Sequence, residues 1–196
     1  MIADSAKPER MKWLGSNLAL GLLVTVLSVF TAVTNYATYV VGGKASDYQT
    51  EGDRLLADSN TDYISASQFI IVDYTMYDNY YVNRDVDNFN ADYYQSQFSS
   101  KLQASVDRDH PFDKQYYDEM YATADEKFNG AFAKFDLANA ESEREAGYQL
   151  AMLVAALGLA FAAYASLLDE VNRLRRIFAL MSLIMLILSV GQFIAA

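Results

Sequence analysis

Residues 146–168 read AGYQLAMLVAALGLAFAAYASLL, and these 23 positions contain no charged side chain. A helix of about 20 apolar residues crosses the roughly 30 Å of hydrocarbon in a bilayer. Uncharged stretches of this length are rare in water-soluble proteins, where helices are shorter and carry a polar face. The stretch therefore predicts a membrane-spanning helix, and it decides how the rest of the chain is organised.

Two further uncharged stretches have the same property. Residues 177–196 follow the first stretch after a short charged turn, and residues 13–43 lie near the start of the chain. The latter stretch is longer than a bilayer requires, so its helix is expected to continue beyond the hydrocarbon. The predicted fold class is an all-α membrane protein with three transmembrane helices and a helical-hairpin domain between the first two.

Lysine and arginine indicate the orientation, because they are enriched in cytoplasmic loops. They precede the first span and lie between the other two: Lys7, Arg10, Lys12, Arg173, Arg175 and Arg176. We therefore expect an integral protein of the bacterial inner (plasma) membrane. Its predicted parts are a cytoplasmic N-terminus (1–12), a first transmembrane helix extending outward (13–43), an acidic extracytoplasmic domain (44–146), a second transmembrane helix (147–168), a cytoplasmic turn (169–176) and a third transmembrane helix ending outside (177–196).

The segment 44–146 repeats its apolar residues every three or four positions, as packed helices do. Two seams follow this rule: Tyr63, Ser67, Ile70, Tyr74, Tyr77 and Tyr81 in the first, and Tyr117, Tyr121, Ala124, Phe128, Ala131 and Phe135 in the second. Residues Asn83–Asn90 are poor helix formers and predict a bend.

A second break is predicted at Asp107–Pro111, where Asp109 or His110 would cap a helix with Pro111 in its first turn. The segment would then form a helical hairpin. Its first helix continues to about Tyr81, a shorter helix covers about 90–107, and a long helix runs from near Pro111 into the second span.

This arrangement resembles a family of uncharacterised bacterial three-span membrane proteins. The likeness lies in one amino-terminal span, a long helical extracytoplasmic segment, and the run Phe135-Asp136-Leu137-Ala138 leading into two closely spaced carboxy-terminal spans. It covers the whole chain at the level of architecture. The resemblance implies the same topology and no particular activity.

The composition argues against several classes of chemistry. The chain has no cysteine and a single histidine, His110, so neither a thiolate site nor a multi-histidine site is expected from one chain. Neither GxGxxG nor GxxxxGK[ST] occurs. The net charge of −10 would repel a phosphate backbone. We therefore expect no enzyme activity, no cofactor, no nucleic-acid partner and no small-molecule substrate.

Tyrosine is the strongest compositional signal, with 11 of the 15 tyrosines between residues 44 and 146. Tyrosine offers a large rigid surface with a polar tip, which suits protein interfaces. Adjacent tyrosines on a helix point about 100° apart, so one ring of a doublet would face its own partner helix and the other outward. The alternative is that the rings pack the hairpin itself. The candidate interface residues are Tyr74, Tyr77, Tyr80, Tyr81, Tyr93, Tyr94, Tyr116, Tyr117 and Tyr121.

Carboxylates near the two breaks are candidate calcium ligands: Asp85, Asp87, Asp107, Asp109 and Asp113. An EF-hand loop places glycine at its sixth position and glutamate at its twelfth. Counted from Asn83, these positions hold Asn88 and Tyr94. The pattern fails, and solvated acidic loops are the alternative interpretation.

Small and polar residues line the spans, and candidates for transmembrane packing are Asn17, Ser28, Thr31, Asn35, Ala155, Gly158 and Ala162. Together these features predict a non-catalytic accessory or scaffold protein. Its partners would be the lipid bilayer and either other membrane-protein subunits or further copies of itself. The alternative is a homo-oligomeric cation channel, with the polar stripe of the first span facing water and an acidic mouth.

Overall fold

The computed structural model describes residues 13–196, so the predicted cytoplasmic segment with Lys7, Arg10 and Lys12 lies outside the described residues. A 3-10 turn at Trp13–Gly15 leads into five α-helices, and no strand occurs among the residues described. The helices are α1 (Asn17–Asn83), α2 (Asn88–Ser96), α3 (Ser100–Asp107), α4 (Lys114–Ser166) and α5 (Arg173–Ala195). Three of them, α1, α4 and α5, are long and apolar enough to cross a membrane. An all-α integral membrane protein is the class that these helices support.

The chain divides into two compact units. The three-helix unit comprises the described residues up to Asp47 together with Leu137–Ala196, and the tyrosine-rich unit comprises Tyr48–Asp136. Each long helix, α1 and α4, contributes one segment to each unit.

Small residues of α4 form the centre of the three-helix unit. They lie on one side of the helix and are buried: Ala151, Ala155, Gly158, Ala162 and Ala165. A side chain at Gly158 would come within 3.0 Å of Met185 on α5 and 3.2 Å of Leu27 on α1. The missing side chain at this position therefore lets both neighbouring helices approach α4 closely.

The face that α1 buries in this unit differs from the polar stripe expected from the sequence. Leu20, Leu23 and Leu27 are buried, whereas Ser28 and Asn35 are exposed. The stripe residue Thr31 is half-buried, and Asn17 is exposed although its side chain bonds to α5. The physical reason is volume: leucines fill the space beside the alanines of α4, where small polar residues would leave voids.

Arg175 closes one end of the three-helix unit. Only 3% of this residue is exposed, and its guanidinium donates to the carbonyl oxygens of Gly15 (2.7 Å) and Leu168 (2.6 Å) and to Asn17 Oδ1. These bonds join the starts of α1 and α5 to the chain that leaves α4. The arginines expected in a turn at 169–176 lie instead in the first turn of α5, because the Asn172 side chain accepts from the Leu174 backbone N–H and begins the helix there.

In the tyrosine-rich unit, the segments of α1 and α4 run antiparallel. Ser59 Oγ donates to the Ala124 carbonyl (2.8 Å), and Lys134 pairs with Glu51 (2.8 Å) near one end. Lys127 of α4 also forms an ion pair with Asp62 of α1, at 2.6 Å. Gly52 lies against the ring of Phe135, where a Cβ would come within 2.5 Å of Cε1. Residues of the two seams meet at Tyr63 with Tyr121 and at Tyr74 with Tyr117, whereas the seam residues Tyr81 and Phe128 are exposed.

Two helix boundaries differ from the sequence predictions. The short helix expected over about 90–107 is divided into α2 and α3, because Ser99 leaves the helix to bind Asp73 and to cap α3 through Leu102. Helix α4 begins at Lys114 instead of near Pro111, and its cap is Asp113, whose carboxylate accepts from the Tyr116 backbone N–H at 2.8 Å. Asp109, one of the expected caps, has a left-handed backbone with φ of 58°.

Candidate functional site in the tyrosine-rich unit

A buried carboxylate organises the tyrosine-rich unit. Asp73 on α1 is 3% exposed and accepts three hydrogen bonds, from the Ser99 backbone N–H (3.1 Å), the Ser99 hydroxyl (2.5 Å) and the Tyr116 hydroxyl (2.8 Å). No cation pairs with it among residues 13–196. A buried carboxylate is tolerated only when its oxygens are hydrogen-bonded. Asp73 therefore connects α1, the start of α3 and α4 at one point.

Tyr116 supplies the most buried ring of this unit. It is fully buried and packs with Ile70 and Leu102. Burial, followed by the hydrogen bond to Asp73, raises the pKa of the Tyr116 hydroxyl far above its ordinary value. The hydroxyl is therefore protonated, and it donates to the Asp73 carboxylate.

A shell of aromatic rings surrounds this point. Phe112 stacks on Tyr74 with ring centroids 4.0 Å apart and contacts Tyr77 and Tyr116 edge-on. The backbone of Phe112 is left-handed, with φ of 59°, which is uncommon for a bulky residue. The ring contacts hold the loop before α4 in this strained conformation.

The hydroxyls of Tyr74 and Tyr117 form a hydrogen bond across the two long helices. That bond, together with burial, raises the pKa of Tyr117 to about 12. The Tyr117 phenol is therefore neutral near pH 7. The tyrosine-rich unit thus presents hydrogen-bonding hydroxyls and ring faces.

In two of the three tyrosine doublets, one ring is exposed and its neighbour is half-buried. Tyr81 (53% exposed) and Tyr93 (57% exposed) point outward, whereas their neighbours Tyr80 and Tyr94 are half-buried. Tyr116 is a core residue and offers no surface to a partner. The remaining candidates contact one another or the aromatic shell: Tyr74, Tyr77, Tyr117 and Tyr121.

Apolar residues beside the outward tyrosines were not singled out by the sequence reasoning. Val82, Val86 and Phe89 are 71%, 86% and 82% exposed. With Tyr81 and Tyr93, which lie close to them in the sequence, they make up the set of exposed residues that we term the α1–α2 patch. The signal that could have found them is the presence of apolar side chains inside the otherwise polar bend at 83–90.

Four of the five calcium candidates have hydrogen-bond or ion-pair partners within the loops and helix ends. Asp87 caps α2 by accepting from the Asn90 backbone N–H, and Asp107 accepts from Gln103. Asp85 lies 3.5 Å from Arg84, and Asp109 is exposed. Within residues 13–196, no three carboxylates or imidazoles converge on a position that could hold a metal ion.

Asp113 forms a two-pronged pair with Arg108, in which both nitrogen–oxygen distances are 2.9 Å. The Arg108 hydrogen bonds and the Tyr116 backbone N–H hold the pKa of the Asp113 carboxyl below its usual value. The same pairing raises the pKa of Arg108. Asp113 is thus committed to fixing the start of α4.

Replacing Asp73 by alanine is expected to destabilise the tyrosine-rich unit by about 3 kcal/mol, because the buried Tyr116 hydroxyl and the Ser99 amide lose their acceptor. Hydrogen exchange of the α3 backbone amides in the full-length protein measures this loss. Asp78→Ala is the matched control, since Asp78 is an exposed aspartate on the same helix. Equal exchange rates in the two variants would contradict a central role for Asp73.

Comparisons of the chain with protein-family models, with characterised proteins and with solved structures find no match.

Proposed function

We propose that this protein is a non-catalytic accessory or scaffold membrane protein that binds a partner subunit, or further copies of itself, through its tyrosine-rich unit. The α1–α2 patch is the observation that carries the proposal. Its five residues are each more than half exposed, and they are all apolar or aromatic. In contact with water such a surface marks a protein interaction site.

The composition of the patch supports a protein partner. Tyr81 and Tyr93 combine a ring with a hydroxyl, and Arg84 lies over the Tyr81 ring at 4.2 Å from its centroid. Tyrosine and arginine are enriched among the residues that dominate binding energy at protein interfaces. The α1–α2 patch and the adjacent Arg84 therefore suit a folded protein partner whose surface has apolar pockets and an acidic rim.

The proposed location is a plasma membrane with residues 44–146 and the C-terminus on the outer side. The three apolar helices and the arginines at the start of α5 support this topology. Membership of the bacterial three-span family stays a prediction from the architecture.

The absence of cysteine from the chain makes the topology directly measurable. We expect a membrane-impermeant maleimide to label Ala122→Cys on intact cells and to label Val171→Cys only after permeabilisation. Both positions are exposed on the protein, so the comparison reports the side of the membrane. Labelling of Val171→Cys on intact cells, with Ala122→Cys protected, would reverse the proposed orientation.

Phe89→Ala is expected to weaken the complex released from native membranes by about tenfold or more, the change that corresponds to about 1.4 kcal/mol of binding energy. Native mass spectrometry measures the bound fraction and identifies the partner. Phe69→Ala is the matched control, because Phe69 is 64% exposed and lies outside the patch.

Two results would reject this proposal. One is an unchanged complex in Phe89→Ala, Tyr81→Ala and Tyr93→Ala alike. The other is a loss of the same size in Phe69→Ala, which would show that the effect does not belong to the patch. Circular dichroism of each variant checks that the helical fold is retained.

One observation favours the alternative of a homo-oligomeric cation channel. Ser28 and Asn35 lie on the exposed side of α1, inside an apolar segment, and the Asn35 side chain has no hydrogen-bond partner among residues 13–196. An amide in that setting is usually covered by another helix or by water. If copies of α1 were arranged around a pore, a neighbouring helix or the water in the pore would cover the Asn35 amide.

The channel alternative predicts cation conductance in reconstituted bilayers and its loss in Asn35→Leu. Val29→Leu is the control, because Val29 is exposed on α1 within the same apolar segment. Silent bilayers at high density of correctly inserted protein would exclude the channel and leave the scaffold proposal standing.

A further inference from the structure

A groove at the Arg175 end of the three-helix unit holds two opposite charges that do not pair with each other. It has a volume of about 390 Å³ and is lined by Gly15, Ser16, Glu170, Val171 and Arg176. Among residues 13–196, neither the Arg176 guanidinium nor the Glu170 carboxylate has a hydrogen-bond or ion-pair partner. The groove therefore offers one donor group and one acceptor group, both available to a ligand.

Arg176 differs in this respect from its neighbour Arg175. The guanidinium of Arg175 already donates hydrogen bonds to two backbone carbonyl oxygens and to one side-chain amide oxygen of the protein. The stem of Arg176 lies over Gly15, where a Cβ would come within 3.3 Å of Arg176 Cγ. Gly15 thus leaves room for the Arg176 stem beside it, and Arg176 lines the groove.

The groove lies where the apolar spans end. Arg176 immediately precedes Ile177, the first residue of the last uncharged stretch, and Trp13 stands just before the start of α1 with 61% of its surface exposed. Tryptophan prefers the headgroup level of a bilayer. The apolar side chains of Leu167 and Val171 are also exposed at this end. The charged groove and its apolar surroundings thus match a phospholipid, with its polar headgroup above its acyl chains.

We propose that this groove binds the headgroup of a zwitterionic aminophospholipid, with Arg176 donating to the phosphate and Glu170 accepting from the primary ammonium. Arginine matches the geometry of phosphate oxygens, and a carboxylate forms charge-assisted hydrogen bonds with an ammonium. An anionic headgroup without an amine leaves Glu170 facing a negative charge. A choline headgroup has no N–H to donate to it.

Native mass spectrometry of the full-length protein, with dioleoyl phosphatidylethanolamine, phosphatidylglycerol or phosphatidylcholine added in turn, tests this site. We expect phosphatidylethanolamine to bind at least about fivefold more tightly than the other two lipids, as one additional charge-assisted hydrogen bond implies. Glu170→Gln should remove that preference over phosphatidylglycerol. Arg176→Gln should weaken binding of all three lipids, because each of them carries the phosphate to which Arg176 donates.

Asp169→Asn and Arg173→Gln are the matched controls, since each removes a neighbouring charge that does not line the groove. Equal binding of the three lipids would overturn the proposal, as would identical behaviour of Glu170→Gln and Asp169→Asn. Glycerophosphoethanolamine separates the sources of the headgroup. If this water-soluble compound binds as tightly as the lipid, the ligand is a free zwitterion and the lipid assignment is overturned.

Discussion

Inside hydrocarbon, a peptide N–H or C=O finds a hydrogen-bond partner only along its own helix, and the structure depends on this constraint. It explains why the apolar stretches lie in uninterrupted helices. It also governs the polar side chains there. The hydroxyls of Thr25, Thr31, Thr34 and Thr38 each donate to the carbonyl four residues earlier in α1. Where α4 ends and carbonyls lose their helical partners, the Arg175 guanidinium takes up the Leu168 oxygen. The four threonine hydroxyls and the Arg175 guanidinium are therefore satisfied within the chain itself.

The tyrosine-rich unit satisfies its polar groups differently. Its helices are separated by loops at 84–87, 97–99 and 108–113. Side chains of these loops and the carboxylate of Asp73 accept hydrogen bonds from backbone N–H groups there. Asp73 accepts hydrogen bonds from Ser99 and Tyr116. Helices α1, α3 and α4 can therefore meet at a core that contains tyrosine hydroxyl groups. Such a core is polar at its edges, so its outer tyrosines remain compatible with water and with a protein surface. The same composition that packs the unit also supplies the α1–α2 patch.

Much of the architecture follows from the sequence, because absence of charge and helical periodicity act over many residues. The three apolar helices and the small-residue side of α4 are of this kind. The exposure of Ser28 and Asn35 could not be predicted from the sequence. It depends on which side of α1 packs against α4, and in the structure the leucines of α1 occupy that side. The division between α2 and α3 depends on Ser99 meeting Asp73, which is distant in sequence. The exposure of Tyr81 was not predicted either, because its spacing placed it on the packed seam of α1. The burial of Tyr116 could not be predicted, because it requires knowing where Leu102 lies.

The alanines at the centre of the three-helix unit have a consequence for how the chain enters a membrane. An alanine has no side-chain rotamers to lose, so packing along α4 costs little conformational entropy. Alanine also contributes less to partitioning into lipid than leucine or isoleucine, and α4 is accordingly less apolar than α5. The helix at the centre of the unit is thus the one with the weaker tendency to insert alone. Only a short turn joins α4 to α5, and the two helices are suited to enter the bilayer together as an antiparallel pair, in which the strongly apolar α5 draws in its alanine-rich neighbour.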